Sequence, residues 1–166
     1  MTVVGAPTIE VYETLRYVGI RVQTPMKGMF QVADKLRKEL MSWVNNHGVE
    51  PSGVSFLRYH VIDMLGEMDI EVGIPTNAEV VGDGRVNPGI LPAGRYGTLI
   101  YSGHGLTATK ALLKWAQDNG LKWERWDNEK GDVFAGRYEA YLTDPRVQPL
   151  KSKWDIQLSI KLADDP

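Results

Sequence analysis

The sequence predicts an α+β fold: duplicated βαββ repeats with pseudo-two-fold symmetry, antiparallel sheets, helices on one side and a ligand cleft on the other. Three observations predict it. Two segments with helical periodicity are each flanked by segments with strand alternation. The order strand, helix, strand, strand occurs twice. Short motifs recur in the same order in both halves, as internal duplication requires.

The elements follow in chain order. Residues 8–22 read as extended, because Val18, Ile20 and Val22 alternate with Tyr17, Gly19 and Arg21. Thr24-Pro25 and Gly28 end that run. From about Phe30 to Asn46, Ala33, Leu36, Leu40, Trp43 and Val44 fall on one helical face. Gly48 suits the position just past the helix end, and Pro51 follows. Val54–Ile62 and Met68–Ile74 read as strands joined by the glycine-bearing link MLGE, and Pro75 stops the second. Residues 77–88 are polar and glycine-rich. A strand from about Ile90 to Ser102 bends near Pro92-Ala93-Gly94. A second helix spans roughly Thr107 to Asn119, with Ala108, Ala111, Leu112 and Trp115 inward and Gly120 closing it. Strands near Val133–Leu142 and Trp154–Leu162 complete the chain.

One domain over residues 1–166 is expected, with repeat one at about 8–76, a linker at about 77–89 and repeat two at about 90–162. Arg16-Tyr17 answers Arg95-Tyr96, a shift of 79. WVNNHGV (43–49) answers WAQDNGL (115–121), a shift of 72. Arg58-Tyr59 answers Arg137-Tyr138, again 79, and DIEVGI (69–74) answers DIQLSI (155–160), a shift of 86. Two like units meeting about a pseudo-two-fold axis create a cleft, and ligand sites favour such junctions.

Composition narrows the chemistry. The chain has 166 residues, no cysteine and a formal charge of −2. Disulfides, thiolate metal sites and cysteine nucleophiles are excluded, and a reducing compartment, the cytoplasm, is expected. No basic run marks a nucleic-acid surface, and no apolar run is long enough to span a bilayer. The histidines (His47, His60, His104) share no metal or triad spacing, so neither a metal nor a cofactor is expected. GHG at 103–105 sits at a strand-to-helix turn, where helix N–H groups can attract an anion. Five Trp and seven Tyr against three Phe favour surfaces with an apolar body and a polar handle.

Strand alternation assigns faces. Ile70, Val72 and Ile74, and likewise Ile156, Leu158 and Ile160, go under the helices. Tyr138, Ala140 and Leu142 share one face of their strand, which leaves Arg137, Glu139 and Tyr141 on the open side, with Arg58, His60 and Ile62 as the equivalents in the first half when Arg58-Tyr59 is aligned with Arg137-Tyr138. The open faces then collect Tyr17, Arg21, His60, Glu71, Tyr96, Glu139, Tyr141 and Gln157, with Trp123 and Trp126 as further wall or lid residues. Acids among aromatic rings suit a flat organic molecule, especially a cation.

The segments NNHGVEPSG, DIEVGIPT, LPAGRYGTLIYSG, GLTATKALLKWAQDNG, RYEAYLTDPRVQP and SKWDIQLSI together resemble the GyrI-like family, which includes the effector-binding domains of AraC-type and BmrR-type regulators. The resemblance covers nearly the whole chain. It implies a cleft for hydrophobic, planar or cationic compounds, with Glu139 in RYEAYLTDP at the place of the family's ligand-contacting acid. It also departs from the family: where a W-x-T-E-I pattern is usual, this chain has WDIQL, with Gln157 at the acid position. Regulators of the family carry a helix-turn-helix module; none is read here, so no direct DNA binding is expected, and neither is membrane association.

Three functions follow from the resemblance. The first is binding or sequestration of a small organic ligand. The second is hydrolysis of cyclopropanoid genotoxins, with Glu139 as general base and Glu71 or a tyrosine such as Tyr141 donating a proton. The third is a gyrase-inhibitor-like interaction with a protein.

Overall fold

Alternating β-branched residues separated by glycine and proline turns form a single antiparallel sheet. The computed structural model describes residues 1–164. Its strands are β1 (Val3–Val4), β2 (Thr8–Tyr12), β3 (Leu15–Pro25), β4 (Phe56–Ile62), β5 (Glu67–Pro75), β6 (Asn87–Leu91), β7 (Gly94–Ser102), β8 (Arg125–Asn128), β9 (Gly131–Phe134), β10 (Arg137–Tyr141) and β11 (Ile156–Lys161). Helix α1 (Met29–Asn46) follows β3, and α2 (Gly105–Asp118) follows β7. The sheet order is β1-β7-β11-β10-β4-β5-β3-β6, with β2 also on β7 and the β8–β9 hairpin on β4.

Two three-stranded units, β4-β5-β3 and β10-β11-β7, therefore meet along the β4–β10 seam. The short strands β2 and β6 exchange between them. β2 precedes β3 in sequence yet pairs with β7; β6 precedes β7 yet pairs with β3. Their registers match at an offset of 79 residues: Thr8 lies across from Thr98 as Asn87 lies across from Gly19. The second unit thus begins at β6, inside the segment expected to be linker. The run expected as one bent strand from Ile90 is two strands, because Pro92 carries no N–H to continue a ladder.

Each helix covers its own half. α1 buries Met29, Ala33, Leu36, Leu40 and Val44, and α2 buries Ala108, Leu112 and Ala116. Both helices end alike: Gly48 and Gly120 take positive φ, and the next N–H returns to the final turn (Val49 to Val44 O, 3.0 Å; Leu121 to Ala116 O, 2.9 Å). Beneath them the core holds Val18, Ile20, Leu57, Tyr59, Ile70, Val72, Ile74, Leu99, Tyr101, Ile156, Leu158 and Ile160. A smaller cluster of Tyr17, Phe56, Leu91 and Ala140, with Leu15 and Tyr138 against it, lies on the opposite face.

One register expectation is corrected. Val72 and Leu158 are equivalent at the shift of 86, and they pair with Leu57 and Glu139 respectively. Leu57 therefore answers Glu139, and Tyr59 answers Tyr141, at an offset of 82 rather than 79. The two offsets differ by an odd number of residues, so the Arg-Tyr alignment turned β10 over relative to its twin. Arg137, Glu139 and Tyr141 belong to the helix-bearing face.

Candidate functional site

Because α1 lies over β5 and β3 and α2 over β7 and β1, the central seam between β4 and β10 is left uncovered between them. A cavity of about 620 Å³ forms there, on the helix-bearing face rather than the helix-free one. Its floor is Tyr59, Met68, Tyr101, Arg137, Glu139 and Ile156, and its walls include Met26 and Phe30 before and in the first turn of α1. Gly103 to Leu106 at the start of α2 and Lys151 close the remaining side. This is the size and mostly apolar character of a small-molecule site.

Glu139 is the only carboxylate in that lining and is 9% exposed. The Tyr59 hydroxyl donates to Glu139 Oε1 at 3.5 Å, and the nearby Tyr101 hydroxyl also favours the charged carboxyl. Burial pushes the Glu139 carboxyl above the ordinary range; Arg137, Lys151 and the two hydroxyls offset only part of this. Burial beside that carboxylate likewise raises Tyr59 and Tyr101, which therefore stay protonated donors. Arg137 lies 4.7 Å from the Phe134 ring centre and 5.8 Å from that of Tyr59.

The other residues singled out in the sequence are elsewhere. Tyr17, Arg21, His60, Glu71, Tyr96 and Gln157 lie on the opposite face, so no single cleft gathers them with Glu139. Glu71 accepts hydrogen bonds from Tyr17 Oη (2.6 Å) and His60 Nε2 (2.8 Å). Arg58 donates to Tyr17 Oη (2.9 Å), Ile90 O (2.7 Å) and Ala135 O (3.0 Å), which ties the network to the backbone. Burial pushes the Glu71 carboxyl up, but the bonds from His60 and Tyr17 more than reverse this. Arg21 forms a two-pronged pair with Asp69, at 2.8 Å on both prongs. Tyr96 donates to Pro92 O at 2.7 Å and is pushed up to about 12 by burial. Gln157 donates to Tyr12 Oη at 3.2 Å.

Tyr141 shares the face of Glu139 but packs edge-on against Trp154, outside the cavity lining. Trp123 covers Gly97, where an added Cβ would stand 2.8 Å from its ring. Trp126, on β8, is 51% exposed. Conversely, sequence reasoning missed Tyr59, Tyr101, Arg137, Lys151, Phe30 and the methionines. The repeated DIEVGI and DIQLSI strands held the missing signal, because their pairing fixes the register of β10.

A second concavity, of about 510 Å³, lies along β3 and β6; its charged side chains Arg16 and Glu79 are exposed. Among the described residues no group of three His, Asp or Glu could hold a metal ion, and no helix is long and apolar enough to cross a membrane.

Comparison with solved structures supports this architecture. The C-terminal domain of EcmrR superposes with a TM-score of 0.74 at 18% identity, over 97% of this chain and 99% of that one. EcmrR in its DNA complex (EcmrR-RPo) gives 0.76 at 17% identity, over 96% of this chain; the chain spans only 58% of that EcmrR chain. SAV2435 bound to tetraphenylphosphonium gives 0.57 at 10% identity, over 95% of this chain and 94% of that one. At these identities the likeness concerns the fold. No curated protein gives a significant match. The family model for the GyrI-like small molecule binding domain matches residues 6–161, and the chain is a member of that family.

Proposed function

We propose that the cavity between α1 and α2 binds a planar, largely apolar organic molecule and seats a cationic or proton-donating group of it against Glu139. The observation that carries this is one buried carboxylate on an otherwise mostly apolar floor. Ring faces of Phe30, Tyr59 and Tyr101 offer stacking, and the adaptable side chains of Met26, Met64 and Met68 suit varied ligand shapes. The tetraphenylphosphonium bound by SAV2435, a similar fold, is consistent with a hydrophobic cation as one such ligand. A ligand-binding domain of this kind serves sensing or sequestration.

The test is a titration of an ester-type cationic rhodamine against the wild type and Glu139→Gln, followed by dye anisotropy. No Trp lines the cavity, so the dye is the better reporter. Saturable binding that weakens about tenfold or more in the variant supports the reading. Absence of binding to the wild type overturns it.

A second reading is hydrolysis at the same carboxyl. It is favoured by the raised affinity of Glu139 for its proton, which suits a general base, and by the Tyr59 hydroxyl bonded to it. Glu71 is on the other face of the sheet and is no proton donor to this site. Under this reading Glu139→Gln abolishes turnover of an alkylating cyclopropanoid while its binding persists.

A further inference from the structure

Arg137 is charged, lines the cavity and has no counterion in contact. It sits two residues from Glu139 on β10, so both side chains leave the same face about 7 Å apart along the strand. Its Nε is buried with no hydrogen-bond partner, and among the described residues its guanidinium forms no ion pair within 4 Å. Removing a guanidinium from water is costly unless its donors are satisfied, and the rings of Phe134 and Tyr59 compensate it only through their faces.

The surroundings add positive charge. Lys151 also lines the cavity, with Nζ 4.7 Å from the Phe30 ring centre and 3.8 Å from Asp34. The first turn of α2 enters the lining with no acidic residue and no side-chain cap. Lys151 is paired with Asp34, so among the described residues Arg137 is the cation of the lining that has no carboxylate within 4 Å, and Glu139 is the one carboxylate in the lining. A simple cation placed here meets the attraction of Glu139 and the uncompensated repulsion of Arg137.

We infer that the natural occupant carries a carboxylate on its aromatic body, clamped by Arg137, in addition to the donor or cationic group that faces Glu139. It is an amphoteric aromatic compound rather than a simple lipophilic cation. The planar fork of arginine matches a carboxylate with two parallel hydrogen bonds, which a point charge does not. This inference rests on the ligand-binding reading of the same cavity.

Two rhodamines that differ only in whether the pendant benzoate is free or methyl-esterified provide the test. The wild type is titrated with both, and the ratio of the two Kd values is read. The free-acid dye is expected to bind about tenfold tighter, the worth of a charge-assisted hydrogen-bond pair. In Arg137→Gln the ratio falls to about one. Arg137→Lys, which keeps the stem and the charge but lacks the fork, serves if the glutamine variant fails to fold, and there the ratio falls to a few-fold.

Equal or tighter binding of the ester by the wild type overturns the inference, and so does a preference that survives intact in a folded variant. If the ester binds in a Glu139-dependent manner without any carboxylate preference, the cavity reading stands and this inference alone falls. If neither dye binds, the cavity reading itself falls and takes this inference with it.

Discussion

Leu57 and Glu139 face each other across the β4–β10 seam and occupy equivalent places in the two halves of the fold. One is 0% exposed and apolar; the other is 9% exposed and ionisable. The duplication is thus broken at its centre, and the cavity holds one carboxylate where a symmetric protein would hold two or none.

Giving Glu139 its twin's identity separates stability from binding. Glu139→Leu is expected to leave stability unchanged or raise it by about 1 kcal/mol or more, because replacing a buried ionisable group by a well-packed apolar one is often neutral or stabilising. Affinity for the cationic rhodamine should fall at least about tenfold. Urea unfolding and dye anisotropy measure the two. A large loss of stability would show that the Tyr59 bond to the carboxyl outweighs its desolvation.

Leu57→Ala is expected to cost about 2–5 kcal/mol, the usual range for emptying a buried leucine site. The urea midpoint measures it, and a cost well under 1 kcal/mol would mean that the seam collapses around the gap.

The two buried glutamates should respond to pH with opposite signs. The Glu139 pKa is raised on folding, so the folded state holds the extra proton. Its contribution is present below the unfolded-state value and is lost as pH rises through the raised one. The Glu71 pKa is lowered, so its contribution is present above the unfolded-state value and is lost as pH falls through the lowered one. In Glu139→Gln the decline of stability above the ordinary carboxylate range should flatten. In Glu71→Gln the acid-side decline should flatten instead. Unfolding free energies measured across mildly acidic pH distinguish these outcomes, and the same slope in both variants would contradict the assignment.

The two faces should also separate in function. Tyr17→Phe removes a 2.6 Å hydrogen bond to Glu71 and is expected to cost about 1–3 kcal/mol with little change in dye affinity. Phe30→Ala and Tyr101→Phe, inside the cavity lining, should weaken dye binding instead. Matched affinity losses from Tyr17→Phe and Tyr101→Phe would place the ligand on the wrong side of the sheet.

Gly97→Val should destabilise by about 1–3 kcal/mol, since any Cβ at that position meets Trp123 at 2.8 Å and Trp115 at 3.1 Å. A shift in intrinsic Trp fluorescence is the accompanying signature.

The sequence by itself determined the α+β class, the two helices with their inward residues, the duplication, and which face of β5 and β11 goes under the helices. These are local properties: periodicity, glycine at helix ends and alternation within a strand carry them without reference to a partner. It also singled out Glu139, by strand alternation and by the RYEAYLTDP motif, although alternation assigned it to the helix-free face. Tertiary structure alone decided the face on which that residue lies. The pairing of β10 with β11 and β4 sets a register of 82 instead of 79, and an odd displacement moves every side chain to the other side of a sheet. It likewise decided that Tyr17, Glu71 and His60 satisfy one another in a closed network. And it brought Arg137, Tyr59 and Tyr101 around Glu139, because contacts between strands distant in sequence depend on register, which no single strand encodes.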